Sequence, residues 1–302
     1  VTIKIIEFIM SSKARQIVIP VDFGEQSMIA LGQSYNLARL TKSEITLVYV
    51  IDEDFLKPFQ DVVSAKHNYE NHLRDDIKLK LDQLAEKVHK ETGIRVNTLI
   101  RTGKVYEEIV EAAKETDAAL IVMGTMGAVG LKKRILGSNA SRVVREAECP
   151  VITIKGRDHR FGIKHILLPL DLTKETKEKV AKAVALAQIY GSVIHVVSIV
   201  ESHDEFLVNK LSRQMDMVVN FISEAGVSVN SEFVEGDDVA EKVIETARKV
   251  NADLIMIMTQ QEVGFTDLFI SSAAQEIINN SEIPVLSIRP APKKDTAVYV
   301  TQ

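Results

Sequence analysis

Short apolar runs recur along the chain, each followed by a longer polar stretch with apolar residues at helical spacing. The runs are Ile17 to Asp22, Ile45 to Ile51, Ile94 to Ile100, Ala119 to Met123 and Val151 to Ile154. They continue with Ile166 to Asp171, Val193 to Val200, Val227 to Val234, Asp253 to Met258 and Val285 to Ile288. A continuous apolar run bounded by turn residues suits a parallel strand buried on both faces. Pro20 and Pro169 would weaken a central ladder, so they are expected where their strands end. Between the runs, Met28, Leu31, Tyr35 and Ala38 mark one face of a helix from Glu25 to Leu40. Glu107 to Glu115 and Glu241 to Lys249 also read as helices. Strands alternating with helices argue for an α/β fold, a parallel sheet with helices on both faces.

This pattern is written twice. Ile17-Val-Ile-Pro-Val-Asp22 matches Ile166-Leu-Leu-Pro-Leu-Asp171. The helix face Ile77, Leu81, Leu84, Val88 recurs as Leu211, Met215, Val218, Ile222. Cys149-Pro-Val-Ile-Thr-Ile-Lys155 matches Ile283-Pro-Val-Leu-Ser-Ile-Arg289. Two tandem domains are expected, over 13–157 and 163–291, joined by the polar stretch from Gly156 to Gly162. The first copy carries an insertion between Asp52 and Ile77 that holds Phe55, Pro58, Phe59 and Tyr69. It is expected either to cover a ligand or to lengthen a surface helix. The last strand of each copy ends a sheet, and unpaired strand edges associate. An internal pseudo-dimer through Val151 to Ile154 and Val285 to Ile288 is therefore expected, with a homodimer through another surface left open.

Length and composition fit this picture: 302 residues suit two domains, and 46% hydrophobic with 26% charged residues is ordinary for a globular chain. A net charge of −5 carries no general nucleic-acid or membrane-surface footprint. The single cysteine, Cys149, rules out an intrachain disulfide or thiolate metal cluster and suits a reducing compartment. Val1 to Met10 is apolar but too short to span a bilayer and lacks signal-peptide features, so a cytoplasmic location is expected. Asp22-Phe-Gly24 spells the kinase metal-binding triplet without any other kinase motif. No Walker loop, Gly-x-Gly-x-x-Gly fingerprint or His-Glu-x-x-His motif is present. His195, inside an apolar run, reads as a satisfied core histidine, and Cys149 as a small buried residue.

The distinctive chemistry lies after the run that ends at Met123. Gly124-Thr-Met-Gly127 is followed by nine residues and then Gly137-Ser138. A loop that leaves a parallel strand and enters a helix is a natural phosphate site, because helix-start N–H groups point outward and the dipole favours anions. Glycine lets the backbone approach phosphate oxygens without a Cβ in the way. Ser138 can donate its hydroxyl to phosphate or cap the helix, and Lys132, Lys133 and Arg134 can neutralise charge. A ligand of an open parallel sheet lies over the carboxyl ends of the strands, where Asp22 and Val50 fall. Singly, each feature has a plainer explanation: a glycine turn, a serine cap, a solvated cationic face, an aspartate turn. Their joint spacing favours the phosphate loop. The second copy keeps Asp171 but has Met258 and Gln261 at the glycine positions, Ser271-Ser272 at the end, and Thr266, Asp267, Leu268 in place of the three cations.

Gly-x-x-Gly, nine residues, Gly-Ser, then Cys-Pro-Val at the final strand resembles the universal stress protein family, as does the opening Ile-Val-Ile-Pro-Val-Asp-Phe. The resemblance covers nearly the whole chain as two tandem copies. It implies two open parallel five-stranded sheets with helices on both faces, of the Rossmann-like, adenine-nucleotide alpha-hydrolase-like type. It also implies ATP, with Mg or Mn bridging its phosphates. Carried over, Pro20, Val21 and Asp22 lie beside adenine and ribose, and the Val50 backbone reads the adenine edge. Met123, Gly124, Gly127, Gly137, Ser138 and Asn139 surround ribose and phosphates. Ala140 stands where many nucleotide-binding members have a hydroxyl residue. The expected function is ATP-dependent stress sensing or signalling with one nucleotide site in the first copy and a pairing role for the second. The alternatives are a slow ATPase or nucleotidyl-transfer enzyme, and a nucleotide-free interaction module.

Overall fold

The computed structural model describes residues 15–56, 63–125, 138–155, 162–170, 176–200, 205–259 and 271–290. The first half contributes strands β1 (Gln16–Pro20), β2 (Glu44–Asp52), β3 (Val96–Gly103), β4 (Ala118–Gly124) and β5 (Val151–Ile154). Its helices are α1 (Glu25–Thr41), α2 (Glu53–Leu56), α3 (Val63–Thr92), α4 (Val105–Glu115) and α5 (Ser138–Glu146). The second half contributes β6 (His165–Pro169), β7 (Val193–Val200), β8 (Val229–Glu235), β9 (Leu254–Met258) and β10 (Val285–Ile288). Its helices are α6 (Thr176–Tyr190), α7 (Glu205–Glu224), α8 (Val239–Lys249) and α9 (Ser272–Asn280).

All ten strands form one sheet in the order β3-β2-β1-β4-β5-β10-β9-β6-β7-β8. Every neighbouring pair is parallel except β5 and β10, which run antiparallel. The two final strands thus pair edge to edge, and Ile152 faces Leu286, its own counterpart in the repeat. A pseudo-twofold axis passes through this seam. Ser141 of α5 bonds Gln275 of α9, again matching positions, at 3.3 Å. Lys155 donates to the carbonyl of Asn279 at the carboxyl end of α9, where a cation is favoured by the helix dipole. The two hydrophobic layers, one on each face, both run across the seam.

The repeat extends to backbone conformation. Lys42 and Gly191, Gly93 and Gly226, and Asp117 and Asn251 occupy matching positions and all have positive φ. Glycine, asparagine and aspartate tolerate this region best. Pro20 and Pro169 each close their strand, where no further ladder hydrogen bond is lost. β3 begins after Ile94, whose carbonyl bonds His89 of α3 at 2.8 Å. Of the stripe read in α1 from sequence, Leu31 and Ala38 are buried but Met28 and Tyr35 only partly so; the buried side is shifted and also takes in Gln26, Ser27, Ile29, Ala30, Ser34 and Leu37. One side of this helix covers the sheet, and it also meets α6 across the seam.

The insertion lengthens a helix. α3 has 30 residues against 20 in its counterpart α7, and the short α2 precedes it. Pro58 and Phe59 lie outside the described residues, as do Gly156 of the linker, Gly127, Gly137, Lys132, Lys133, Arg134, Asp171 and Gln261. Among the described residues, no helix is long and apolar enough to cross a membrane.

Candidate functional site

In each half the strand order reverses between the first and fourth strands, β1 and β4, then β6 and β9. The two connections leave in opposite directions there and open a crevice over the carboxyl ends. Pro20 closes β1, Val21 and Asp22 follow it, Val50 lies near the end of β2, and Met123 and Gly124 end β4. Ser138 and Asn139 are the first two residues of α5. Eight of the ten residues singled out from sequence therefore fall on this side of the sheet, and Gly127 and Gly137 lie outside the described residues.

Their side chains are differently disposed. Val21 and Met123 are buried in the core, so they present backbone to the crevice. Val48 accepts from Val21 N at 2.9 Å. By the two-residue period of a strand, Val50 points its N–H and C=O the same way, past the end of β1. Asp22 turns the chain into α1: its Oδ1 accepts from Gly24 N at 2.9 Å and from Ser27 Oγ at 2.6 Å. Phe23, between them, has φ 59°. That carboxylate oxygen is committed to the turn, the plainer of the two roles open to Asp22. Ala140 sends its methyl into the core at 2% exposure.

Gly124 has a structural requirement that its sequence context does not show. A Cβ there would lie 2.9 Å from the backbone carbon of Gln26 in α1. Glycine lets the start of α1 close onto β4. Gln26, with its amide nitrogen facing inward, donates to the carbonyls of Ile154 and Lys155 at 3.3 and 3.1 Å. At the matching place in the second half, Met258 fills the core with its side chain.

Sequence reasoning missed two groups beside the crevice. Phe23 and Tyr49 stack obliquely, with centroids 5.6 Å apart. Burial, then the Asp22 carboxylate, raises the Tyr49 pKa, so its phenol stays neutral. Arg142, one turn into α5, lies 4.7 Å over the Tyr106 ring. Lys104, at the start of α4, pairs with Glu107 at 3.0 Å. Phe23 and Tyr49 are far apart in sequence, and Arg142 and Tyr106 lie on different helices, so no motif marks either pair.

The second half reverses this chemistry. Lys104 and Arg142 are replaced by Asp238 and Glu276. Asp238 caps α8 by accepting from Glu241 N at 2.9 Å. Ser271 Oγ accepts from Ala274 N at 3.2 Å, so the start of α9 already has an internal acceptor. His195 does not stand alone in its strand: its Nε2 lies 3.0 Å from Nδ1 of His165. Burial pushes the Cys149 thiol up to about 11, which keeps it protonated at neutral pH and unreactive. No group of three or more metal-ligating side chains occurs among the described residues.

Twin doubly wound units, each with its crevice at the carboxyl ends, define a tandem α/β protein of Rossmann-like architecture. The universal stress protein family profile matches residues 13–155 and 162–289. The chain belongs to the universal stress protein family, with the adenine-nucleotide alpha-hydrolase-like fold. Universal stress protein MJ0531 of Methanocaldococcus jannaschii is 35% identical over 144 residues, 47% of this chain and 82% of that protein. Universal stress protein MJ0577 of the same organism is 30% identical over 162 residues, 49% of this chain and 99% of that protein. A solved universal stress protein from Archaeoglobus fulgidus shares the fold across 92% of this chain and 100% of its own, with TM-score 0.76 at 20% identity.

Proposed function

We propose that the first half binds one adenine nucleotide, ATP with Mg or Mn at its phosphates, and that the second half is a structural partner with no nucleotide. The protein then acts in the cytoplasm as a nucleotide-dependent stress sensor or signalling module. The observation that carries this proposal is the contrast between two crevices on one scaffold. The first has Gly124, an exposed Ser138 opening α5, and cationic Lys104 and Arg142. The second has Met258, a self-capped α9, and acidic Asp238 and Glu276.

The residues present fit the group. Backbone N–H groups at the start of α5 and the Ser138 hydroxyl suit phosphate, and Val50 offers a donor and an acceptor for an adenine edge. Gly127 and Gly137 complete the cradle in this proposal. Pro20, Val21 and Asp22 border adenine and ribose, and Met123, Gly124 and Asn139 border the ribose and phosphates. A divalent ion would neutralise phosphate charge. Calorimetric titration of the full chain with ATP and Mg tests the proposal. Saturation near one site per chain supports it; two equivalent sites, or none, would sink it. Mass spectrometry of material released from denatured protein separates the rivals. ATP favours a holding site, ADP with phosphate production a hydrolase, and no nucleotide an interaction module.

A further inference from the structure

α1 and α6 lie side by side on one face of the seam and leave a half-open cavity of ≈ 130 Å³ between them. Ile17, Leu37 and Leu120 of the first half line it together with Leu186, Met256 and Leu286 of the second. Such a lining offers water few partners, and its apolar surface gains from a cover. The pseudo-twofold axis repeats this space in a smaller copy of ≈ 40 Å³. In that copy the chain itself provides the cover.

The residues that enter β6 cross the groove there. Gly162 and Ile163 border the smaller space. Gly162 rests on α1 of the other half, where a Cβ on it would lie 3.2 Å from Asn36 Nδ2. Ser192 donates its hydroxyl to the Ile163 carbonyl. Asp253 accepts from Lys164 N and His165 N at 2.8 and 3.0 Å. Tyr190 also borders this copy.

On the larger side the repeat places Lys13, Ala14 and Thr41 where the smaller side has Gly162, Ile163 and Tyr190. Alanine and threonine supply less bulk than isoleucine and tyrosine, so the same positions fill less of the space. The supports remain. Ser43 corresponds to Ser192, and Ala185 of α6 to Asn36 of α1; both Ser43 and Ala185 line the larger cavity. By the same symmetry, a chain entering β1 crosses α6 at Ala185 and passes over the cavity. The residues ahead of Arg15 lie outside the described part of the chain. They include the apolar stretch Val1-Thr-Ile-Lys-Ile-Ile-Glu-Phe-Ile-Met10. Arg15 itself lines the cavity, and Met10 is within about 18 Å of it even at full extension.

We propose that Val1 to Met10 is the occupant of the larger cavity. It is a strap whose apolar side chains lie between α1 and α6 and tie the halves together on the face opposite to α5 and α9. It does for the first half what the chain ahead of β6 does for the second, with residues further from the strand because Ala14 is small. The strap is independent of any nucleotide.

Two measurements on the full chain test it. With p-benzoylphenylalanine in place of Phe8, irradiation should join that position to α6 between Lys182 and Ile189 of the same chain. Crosslinked dimers would give the groove to a second copy, and links scattered over the surface would leave the segment without a seat; either result overturns the proposal. Thr41→Tyr, which introduces the residue found in the mirror copy, takes up the space the strap needs. Trypsin cleavage after Lys4, measured relative to cleavage elsewhere in the chain, should then rise at least about tenfold, the factor that burial of one large apolar side chain provides. Equal relative rates in the variant and the parent chain would overturn the proposal as well.

Discussion

The two halves keep the same scaffold and differ where the strands end. Both place left-handed residues at matching turns, Lys42 and Gly191, Gly93 and Gly226, Asp117 and Asn251. Both close their first strand with proline, and both supply one edge to the seam. At and around the carboxyl ends, by contrast, Gly124 of the first half corresponds to Met258 of the second, Lys104 to Asp238 and Arg142 to Glu276. A fold is specified by burial and backbone geometry, which many side chains satisfy. A phosphate site needs glycine where a backbone approaches and positive charge nearby, and single exchanges remove it. The second half exchanges the side chains of this region while its edge strand still completes the sheet.

The largest effect is expected where the halves are alike and depend on each other. Leu286, 7% exposed, faces Ile152 at the seam. Leu286→Asp would put a carboxylate there with no partner, and should cost about 3–5 kcal/mol in urea unfolding. The isolated segment 13–157 should self-associate or aggregate through its vacated edge. A stable, soluble monomer at high concentration by sedimentation would remove the case for edge dependence.

A smaller effect separates the crevices. Gly137→Val should obstruct backbone approach to phosphate while the chain stays folded. Each charge-assisted hydrogen bond lost is worth about 1.5–3 kcal/mol, so ATP affinity by calorimetry should fall at least roughly tenfold. Unchanged affinity in a folded variant would move the phosphates elsewhere. Gly124 is the wrong choice for this test, since a side chain there meets α1 before it meets any ligand.

The sequence exposed most of the fold because its signals are local. Apolar runs located all ten strands to within a few residues, and the repeat identified which edges were left to pair. It was less informative wherever a partner lies on another element. α1 packs on the sheet and beside α6, and small Ser27, Ala30 and Ser34 are buried there where the apolar spacing picks out the only partly buried Met28 and Tyr35. His195 reads as isolated because His165 is on the neighbouring strand. Arg142 and Tyr106 belong to different helices. Gly124 carries two demands, room for Gln26 and the expected room for a ligand, and a motif cannot separate them. Asp22 likewise shows its use as a turn and cap only once Ser27 and Gly24 are placed.

A still smaller effect tests the proposal that the second half binds no nucleotide. Ser271 caps α9 through Ala274 N, and loss of a serine cap costs about 0.5–2 kcal/mol. Ser271→Ala should therefore lower the denaturation midpoint and leave ATP affinity unchanged. A parallel fall in ATP affinity would show that the second half takes part in binding and is more than a structural partner.

The smallest effect concerns one matched pair at the other end of the strands. In the first half Thr46 Oγ1 lies 2.8 Å from Gln16 Oε1 across β2 and β1. The second half has His195 and His165 at these positions, 3.0 Å apart. Burial, then the neighbouring His165, lowers the His195 pKa, with Glu232 partly opposing. The folded chain therefore holds His195 neutral at a pH where the unfolded chain, with a pKa of about 6.5, takes up a proton. Below that pH the unfolded state binds more protons than the folded state, so stability falls as pH drops and levels off once the folded pKa is passed. Above about pH 6.5 this contribution is fully present. His195 is only partly buried, and solvent screening should hold the effect below about 1 kcal/mol. The double variant His165→Gln, His195→Thr copies the first half and should flatten the loss between pH 7.5 and 5.5, as measured by urea unfolding at each pH. Carboxylates elsewhere titrate equally in both proteins, so the difference isolates the pair. Identical pH slopes would show that the two halves, unlike at these positions in sequence, respond alike to acid.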